Sequence, residues 1–233
     1  MSQHISKKFD NELENIRGQV MAMGGLVEQQ LITALRALTE SETELGERVI
    51  ENETQVNTYE VHIDDECTRI LARRQPAASD LRLVMAVGKT ITDLERIGDE
   101  AEKIAKMAIE LAERHGPKGY YIGINAMGNH VCKMVHEALD AFARMDTQAA
   151  LETASKEPES DEQYKAILRQ LITYMMEDPR SITSVLDTIW VARAMERIGD
   201  HARNICEYVI YFVEGKDVRH ISIEEMQKEV NAD

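Results

Sequence analysis

Leu94-Glu95-Arg96-Ile97-Gly98-Asp99-Glu100-Ala101 returns as Met195-Glu196-Arg197-Ile198-Gly199-Asp200-His201-Ala202, with the core Glu-Arg-Ile-Gly-Asp identical at an offset of 101. Ile104 pairs with Ile205 at the same offset. Upstream, Ala22-Met23-Gly24, Val27, Ala34-Leu35 and Ala37 match Ala126-Met127-Gly128, Val131, Ala138-Leu139 and Ala141 at an offset of 104. Two echoes in the same order mark a duplicated unit of about a hundred residues, and such a repeat frames every local reading. Around the second copy, Ile182, Val185, Ile189, Ala192, Met195, Ile198, Ala202, Ile205, Val209 and Phe212 recur every three or four residues. That is the period of a helix, not a strand.

Working outward, each unit reads as three helices. In the first they cover residues 6–38, 42–74 and 80–113; Ser41 with Glu44 offers a capping box for the second, and Pro76 separates it from the third. Gly116-Pro117-Lys118-Gly119 marks the boundary between units. The second unit spans helices at 125–144, 147–177 and 180–214. Pro158 predicts a break in the middle one, with Ser160 and Gln163 as a fresh capping box. Asp178-Pro179 suits the start of the last helix, and an amphipathic stretch at 221–230 adds a short one. The expected fold is all-α: two tandem three-helix bundles at 1–115 and 120–215 from an internal duplication, followed by a tail at 216–233.

Composition agrees. Only 4 Pro and 12 Gly punctuate 233 residues, and 43% of them are hydrophobic, enough for a buried core. The net charge of −15 disfavours nucleic acid as a partner, since no basic stripe offsets it. No signal peptide and no uncharged apolar run of the ~18–20 residues that span a bilayer is visible. Cys67, Cys132 and Cys206 are odd in number and far apart, which speaks against a disulfide framework and for a reducing cytoplasm.

The duplicated carboxylates invite chemistry. Glu95 and Asp99, like Glu196 and Asp200, are four apart and share a helix face, where like charges repel. Gly98 and Gly199 lie between them, each costing a helix interior about 1 kcal/mol relative to alanine. One reading is a metal site: paired carboxylates from facing helices supply hard oxygen ligands, and the glycines permit close approach. The other is a solvated acidic face with glycine serving helix packing. A third pair, Glu60 and Asp64, lies on the second helix of the first unit. It is not repeated, for Tyr164 and Leu168 stand at the corresponding positions, whereas Asn57 is matched by Asp161.

Other candidates are weaker. Cys132 and His136 share a face and could make half a soft-metal site, although a cysteine on an apolar stripe reads more simply as core. His201 is expected in solvent, with an additional ligand role as the alternative. Arg96 and Arg197 are expected in ion pairs, and Met21, Met23, Met107, Met127, Met134 and Met145 in the core. No nucleophile elbow, phosphate loop or dinucleotide fingerprint is present, so an enzyme is not expected.

The duplicated segments, together with Met23-Gly24-Gly25-Leu26-Val27 and Gln75-Pro76-Ala77-Ala78-Ser79-Asp80-Leu81-Arg82, resemble the PhoU family over essentially the whole chain. The resemblance implies a fold of two three-helix bundles and a non-enzymatic role as accessory to the phosphate-specific ABC transporter. It further implies negative regulation of the phosphate-starvation response, with the transporter's ATPase subunit and a sensor histidine kinase as partners. A cytoplasmic homodimer, peripheral at the inner membrane through those partners, is the expected form. The family's acidic motifs imply multinuclear iron or zinc clusters, or another divalent metal. Carried onto this chain, the ligands are Glu95, Asp99, Glu196 and Asp200, with Glu60, Asp64 and Asp161 facing them. The alternative from another class is a ferritin-like carboxylate-bridged metal oxidase or store; such bundles use Glu-x-x-His, which occurs nowhere in this chain.

Overall fold

Leu13, Ile16, Val20, Met23, Val27, Leu31, Ala34 and Leu38 are all buried, and their three-and-four spacing makes the first segment one continuous helix. The structure, a computed structural model, describes residues 7–114 and 121–231, without the side chains of 121 and 122. The first repeat comprises α1 (Lys7–Glu40), α2 (Thr43–Arg74) and α3 (Ala78–Glu113). The second comprises α4 (Tyr121–Arg144), α5 (Thr147–Ala154), α6 (Glu157–Glu177) and α7 (Ile182–Glu214), and α8 (Ile223–Asn231) follows. Every described residue in regular structure is helical. The expected boundary at Gly116-Pro117-Lys118-Gly119, and Ser6 at the start of the first helix, lie outside the described residues.

The turns obey their sequence with two corrections. Ser41 does not cap α2. It takes a left-handed conformation (φ 59°) that ends α1, Glu42 N donates to Ala37 O at 3.2 Å, and Glu42 holds the cap position without a side-chain bond. That is a Schellman closure. It recurs at the repeat offset: Met145 has φ 54°, Asp146 N donates to Ala141 O at 3.0 Å, and here the Asp146 side chain does cap, accepting from Ala149 N. Ser160 and Gln163 are not a capping box either. The chain breaks at Ser155–Lys156, ahead of Pro158, because proline is tolerated in a first helical turn and α6 therefore starts before it. Ser160 Oγ then donates to Glu157 O at 2.6 Å. Asp178 caps as expected, but over a 3₁₀ turn at Pro179–Ser181 that precedes α7. The α7 stripe is buried from Val185 onward except half-buried Ile189, while Ile182 is exposed.

The two repeats embrace. A Cβ on Gly24 of α1 would lie 2.5 Å from Leu139 Cδ2 of α4, and one on Gly128 of α4 would lie 2.7 Å from Leu35 Cδ2 of α1. Each glycine receives the other repeat's leucine, so the upstream echo is the imprint of a pseudo-twofold crossing. The second crossing is α3 on α7. Asp93 meets Asn204, Glu100 meets Arg197 and Arg114 meets Asp187, so the helices run antiparallel. α3 packs on α1 and α2, and α7 on α4, α5 and α6. The paired Glu-Arg-Ile-Gly-Asp segments thus cross near the centre of the molecule. α8 lies on α5 with Met226 buried.

Candidate functional site

In the first repeat, Gly98 makes room for a carboxylate. A Cβ there would lie 3.1 Å from Glu53 Oε2 and 3.4 Å from Gln30 Oε1, so α2 and α1 bring both side chains against the bare backbone of α3. Glu53 is only 6% exposed. Burial, reinforced by the charges of Asp99, Glu102 and Glu95, pushes its carboxyl up to about 7. Gln30 Nε2 donates to Glu53 Oε2 at a long 3.4 Å, while Glu53 Oε1 and Gln30 Oε1 are buried without a hydrogen-bond partner. Two orphaned oxygens at one glycine are costly, of the order of 1–3 kcal/mol each when nothing satisfies them. Glu95 is also raised, by burial and then by Asp99 and Glu60.

The second repeat places other groups in the same frame. At Gly199 the neighbour is Ser160 Oγ, 2.8 Å from where a Cβ would sit. Glu157, buried, accepts from the Arg203 guanidinium at 2.9 Å. Glu196 Oε1 accepts from Arg193, while its Oε2 is buried and unpartnered. Burial raises the carboxyls of Glu157, Glu196 and Asp200; Asp161 adds to the rise in each, and Arg203 or Arg193 opposes it.

The acids expected from the sequence therefore fall into two groups. Glu95, Asp99 and half-buried Glu60 lie within reach of one another's fields, with Glu60 Oε1 accepting from Thr92 at 3.4 Å. Asp161, Glu196 and Asp200 are likewise mutually coupled. Asp64 is exposed one turn beyond Glu60, and its charge bears on buried Cys67. Among the described residues, no three His, Cys, Asp or Glu side chains are drawn into a ready-made ligand group. The donor chemistry nevertheless suits a hard cation: carboxylate oxygens, one of them buried and unsatisfied in each group, Glu53 Oε1 against Gly98 in the first and Glu196 Oε2 in the second. Glu53, Gln30, Glu157 and Ser160 were not among the expected residues. The signal that finds the two glutamates is the 104 offset, since Glu53 and Glu157 are the same residue in the two copies.

The remaining candidates resolve individually. His201 is not in solvent: it is 7% exposed, its Nδ1 lies 2.6 Å from Asp93 Oδ1, and its Nε2 has no partner. Asp93 also accepts from Asn204 at 3.1 Å and from the Tyr208 hydroxyl, so α3 inserts a carboxylate into a polar pocket of α7. Arg197 pairs with Glu100 at 2.6 Å, as an ion-pair role requires. His136 lies 2.9 Å from Glu28, and the half-buried Cys132 thiol is pushed up to about 12 by burial and by Glu28. All three cysteines are free. Among the described residues, no helix is long and apolar enough to cross a membrane.

Comparison with known proteins places this geometry. A family model described as the PhoU domain matches twice, over residues 20–108 and 124–209. The phosphate-specific transport system accessory protein PhoU homolog of Pseudomonas aeruginosa is 54% identical over 99% of this chain and 95% of its own length. The phosphate-specific transport system accessory protein PhoU of Escherichia coli K12 is 49% identical over 98% and 94%. The crystal structure of PhoU from Pseudomonas aeruginosa superposes with a TM-score of 0.88 at 53% identity, covering 89% of this chain and all of that one. PhoU from Streptococcus pneumoniae, called a phosphate transport system regulatory protein, gives 0.83 at 30% identity, covering 90% and 99%. With both halves matched, the whole length aligned and the helical pair reproduced, the chain belongs to the PhoU family.

Proposed function

We propose that this protein is a non-enzymatic accessory regulator of phosphate-specific transport that holds the phosphate-starvation response off when phosphate is plentiful. The observation that carries the reading is similarity over nearly the full length of relatives named as accessory to that transport system. The partners are the transporter's ATPase subunit and a sensor histidine kinase, and the working form is a cytoplasmic homodimer. To act, the protein must prefer one state of a partner, because equal affinity for both shifts nothing.

Metal binding belongs to the same reading. In the first repeat Glu53, Glu95 and Asp99, with Glu60 beside them, would hold an iron, zinc or other divalent cation. Asp161, Glu196 and Asp200 are the corresponding acids of the second. A bound cation supplies positive charge to carboxyls that burial and mutual repulsion otherwise leave uncompensated. Supporting this are the orphaned oxygens of Glu53 and Glu196 and the room at Gly98.

The test is alkaline phosphatase activity in a deletion strain grown with abundant phosphate. High activity in the deletion, silenced by the wild-type chain, is expected. Failure of Glu95→Ala/Asp99→Ala/Glu196→Ala/Asp200→Ala to silence would tie the carboxylates to regulation. Low activity in the deletion would detach the protein from phosphate control.

A further inference from the structure

One helix face reads differently in its two copies. At the 104 offset, Glu44, Glu47, Arg48 and Glu51 of α2 become Gln148, Leu151, Glu152 and Ser155, in and just after α5. Spacings of three and four put each set on one side of its helix. In the first repeat all four are charged and exposed, as a face in water should be. In the second a single charge is left, and Leu151 is only 3% exposed. The element that lies on this face in the second repeat, and has no counterpart in the first, is α8.

α8 starts itself. Ser222 N donates to Glu225 Oε2 at 3.0 Å and Glu225 N donates to Ser222 Oγ at 3.2 Å, a reciprocal capping box that needs nothing from the body of the protein. Its grip is narrow. Met226 is fully buried, while Ile223 and Val230 are half-buried. Among the described residues, no hydrogen bond or ion pair joins α8 to α5, and a cleft lined by Leu151, Ser155, Gln227 and Asn231 stays open between them. Upstream, Val218 is fully buried, so the lead out of α7 is seated and the turn at left-handed His220 (φ 66°) separates it from α8. The polar tie across that turn, Lys216 Nζ on the Glu229 carbonyl, is exposed to solvent.

The helix beneath is no firmer. α5 is eight residues long and is cut from α6 at Ser155–Lys156, whereas its counterpart is the opening of the unbroken 32-residue α2. So short a helix does not hold itself in water and depends on what packs over it.

From these contrasts we infer that α8 is a removable clasp: it lies on α5 in one state of the chain and swings away about His220 in another, and α5 loosens with it. Met226 is the side chain that seats the clasp, and Leu151 is the one it shelters. The device belongs to the second repeat alone. Two states of one chain give a partner something to choose between, but the inference itself calls for neither a metal nor a particular partner.

The test is amide hydrogen exchange in the full-length protein under native conditions. In the wild type, residues 151–154 and the amides of α8 should open together, with an opening constant at least about tenfold larger than that of residues 47–50 in α2. Met226→Glu puts a charge into the buried seat and should speed exchange at 151–154 on the order of tenfold or more, leaving 47–50 within about twofold. Leu151→Glu restores the residue that the first repeat carries in water at this position, so α5 accommodates it and the chain stays folded; the protection of α8 should still be lost. That variant decides the matter if Met226→Glu loosens the whole molecule. Wild-type α5 as protected as α2, or α8 stripped of protection by either substitution while 151–154 exchange as before, would overturn the clasp. So would an α8 without protection in the wild type, since it would then have no closed state.

Discussion

Glu53 shows how one side chain converts burial into pH dependence. Its carboxyl is raised from the ordinary 4.5 to about 7, so between those values the folded chain keeps a proton that the unfolded chain has released. Stability must then fall as pH rises through that window and level off above it. The contribution is about 3 kcal/mol at neutral pH. Urea unfolding of the metal-free protein from pH 4.5 to 7.5, compared with Glu53→Gln, should show the wild type losing stability relative to the variant by this amount; parallel profiles would refute it. A second residue-scale prediction concerns Asp93. Asp93→Ala strips the partner from His201 Nδ1, Asn204 Nδ2 and the Tyr208 hydroxyl inside the interface, and should cost at least about 2 kcal/mol in the same assay. Neither role could be read locally. Glu53 belongs to no Glu-x-x-x-Asp pair, and the Asp93–His201 partnership spans 108 positions. The repeated pairs at Glu95/Asp99 and Glu196/Asp200 were legible because a helix fixes which face residues four apart occupy.

At the scale of elements, sequence reading succeeds where one helix decides and falters where two meet. Apolar period alone placed the long helices, and Pro158 forecast the split of the second repeat's middle segment. Ser41 and Ser160 were misread as caps because the same residue types also serve left-handed turns and bonds to a preceding carbonyl. The α1–α4 crossing illustrates the other side. Its glycines were visible as an echo, yet their purpose appears only when Gly24 meets Leu139 and Gly128 meets Leu35. This yields a double-mutant test. Gly24→Val forces branched carbon into the place of Leu139 and should destabilise by about 1–3 kcal/mol. In the Leu139→Ala background much of that penalty should vanish, giving a coupling of order 1 kcal/mol or more in denaturant unfolding. Additive effects would mean that the two side chains do not compete for one space.

For the whole molecule, the crossings decide whether two repeats mean two folding units. The chain is the expected all-α duplication of two tandem bundles, which would each unfold alone if their cores were separate. Instead the helices that carry the repeated motif, α3 and α7, lie against one another along their length. The buried Asp93–His201 contact and the pair of buried Glu100 with half-exposed Arg197 span that seam, and the reciprocal glycine–leucine contacts of α1 and α4 add a second. Neither helix could leave without exposing the other's apolar face and stranding buried polar groups. Unfolding should therefore be one cooperative transition, and damage in one repeat should be felt in the other. Ile63, fully buried in α2, belongs to the helix that packs on α1 and α3 of its own repeat, so Ile63→Ala perturbs the first repeat directly at a cost of about 2–5 kcal/mol. Hydrogen exchange should then show the core amides of α7, at Val191 and Ile205, losing protection by the same free energy as those of α3. If α7 kept its wild-type protection while α3 lost its own, the repeats would be separate cooperative units and the seam a mere contact.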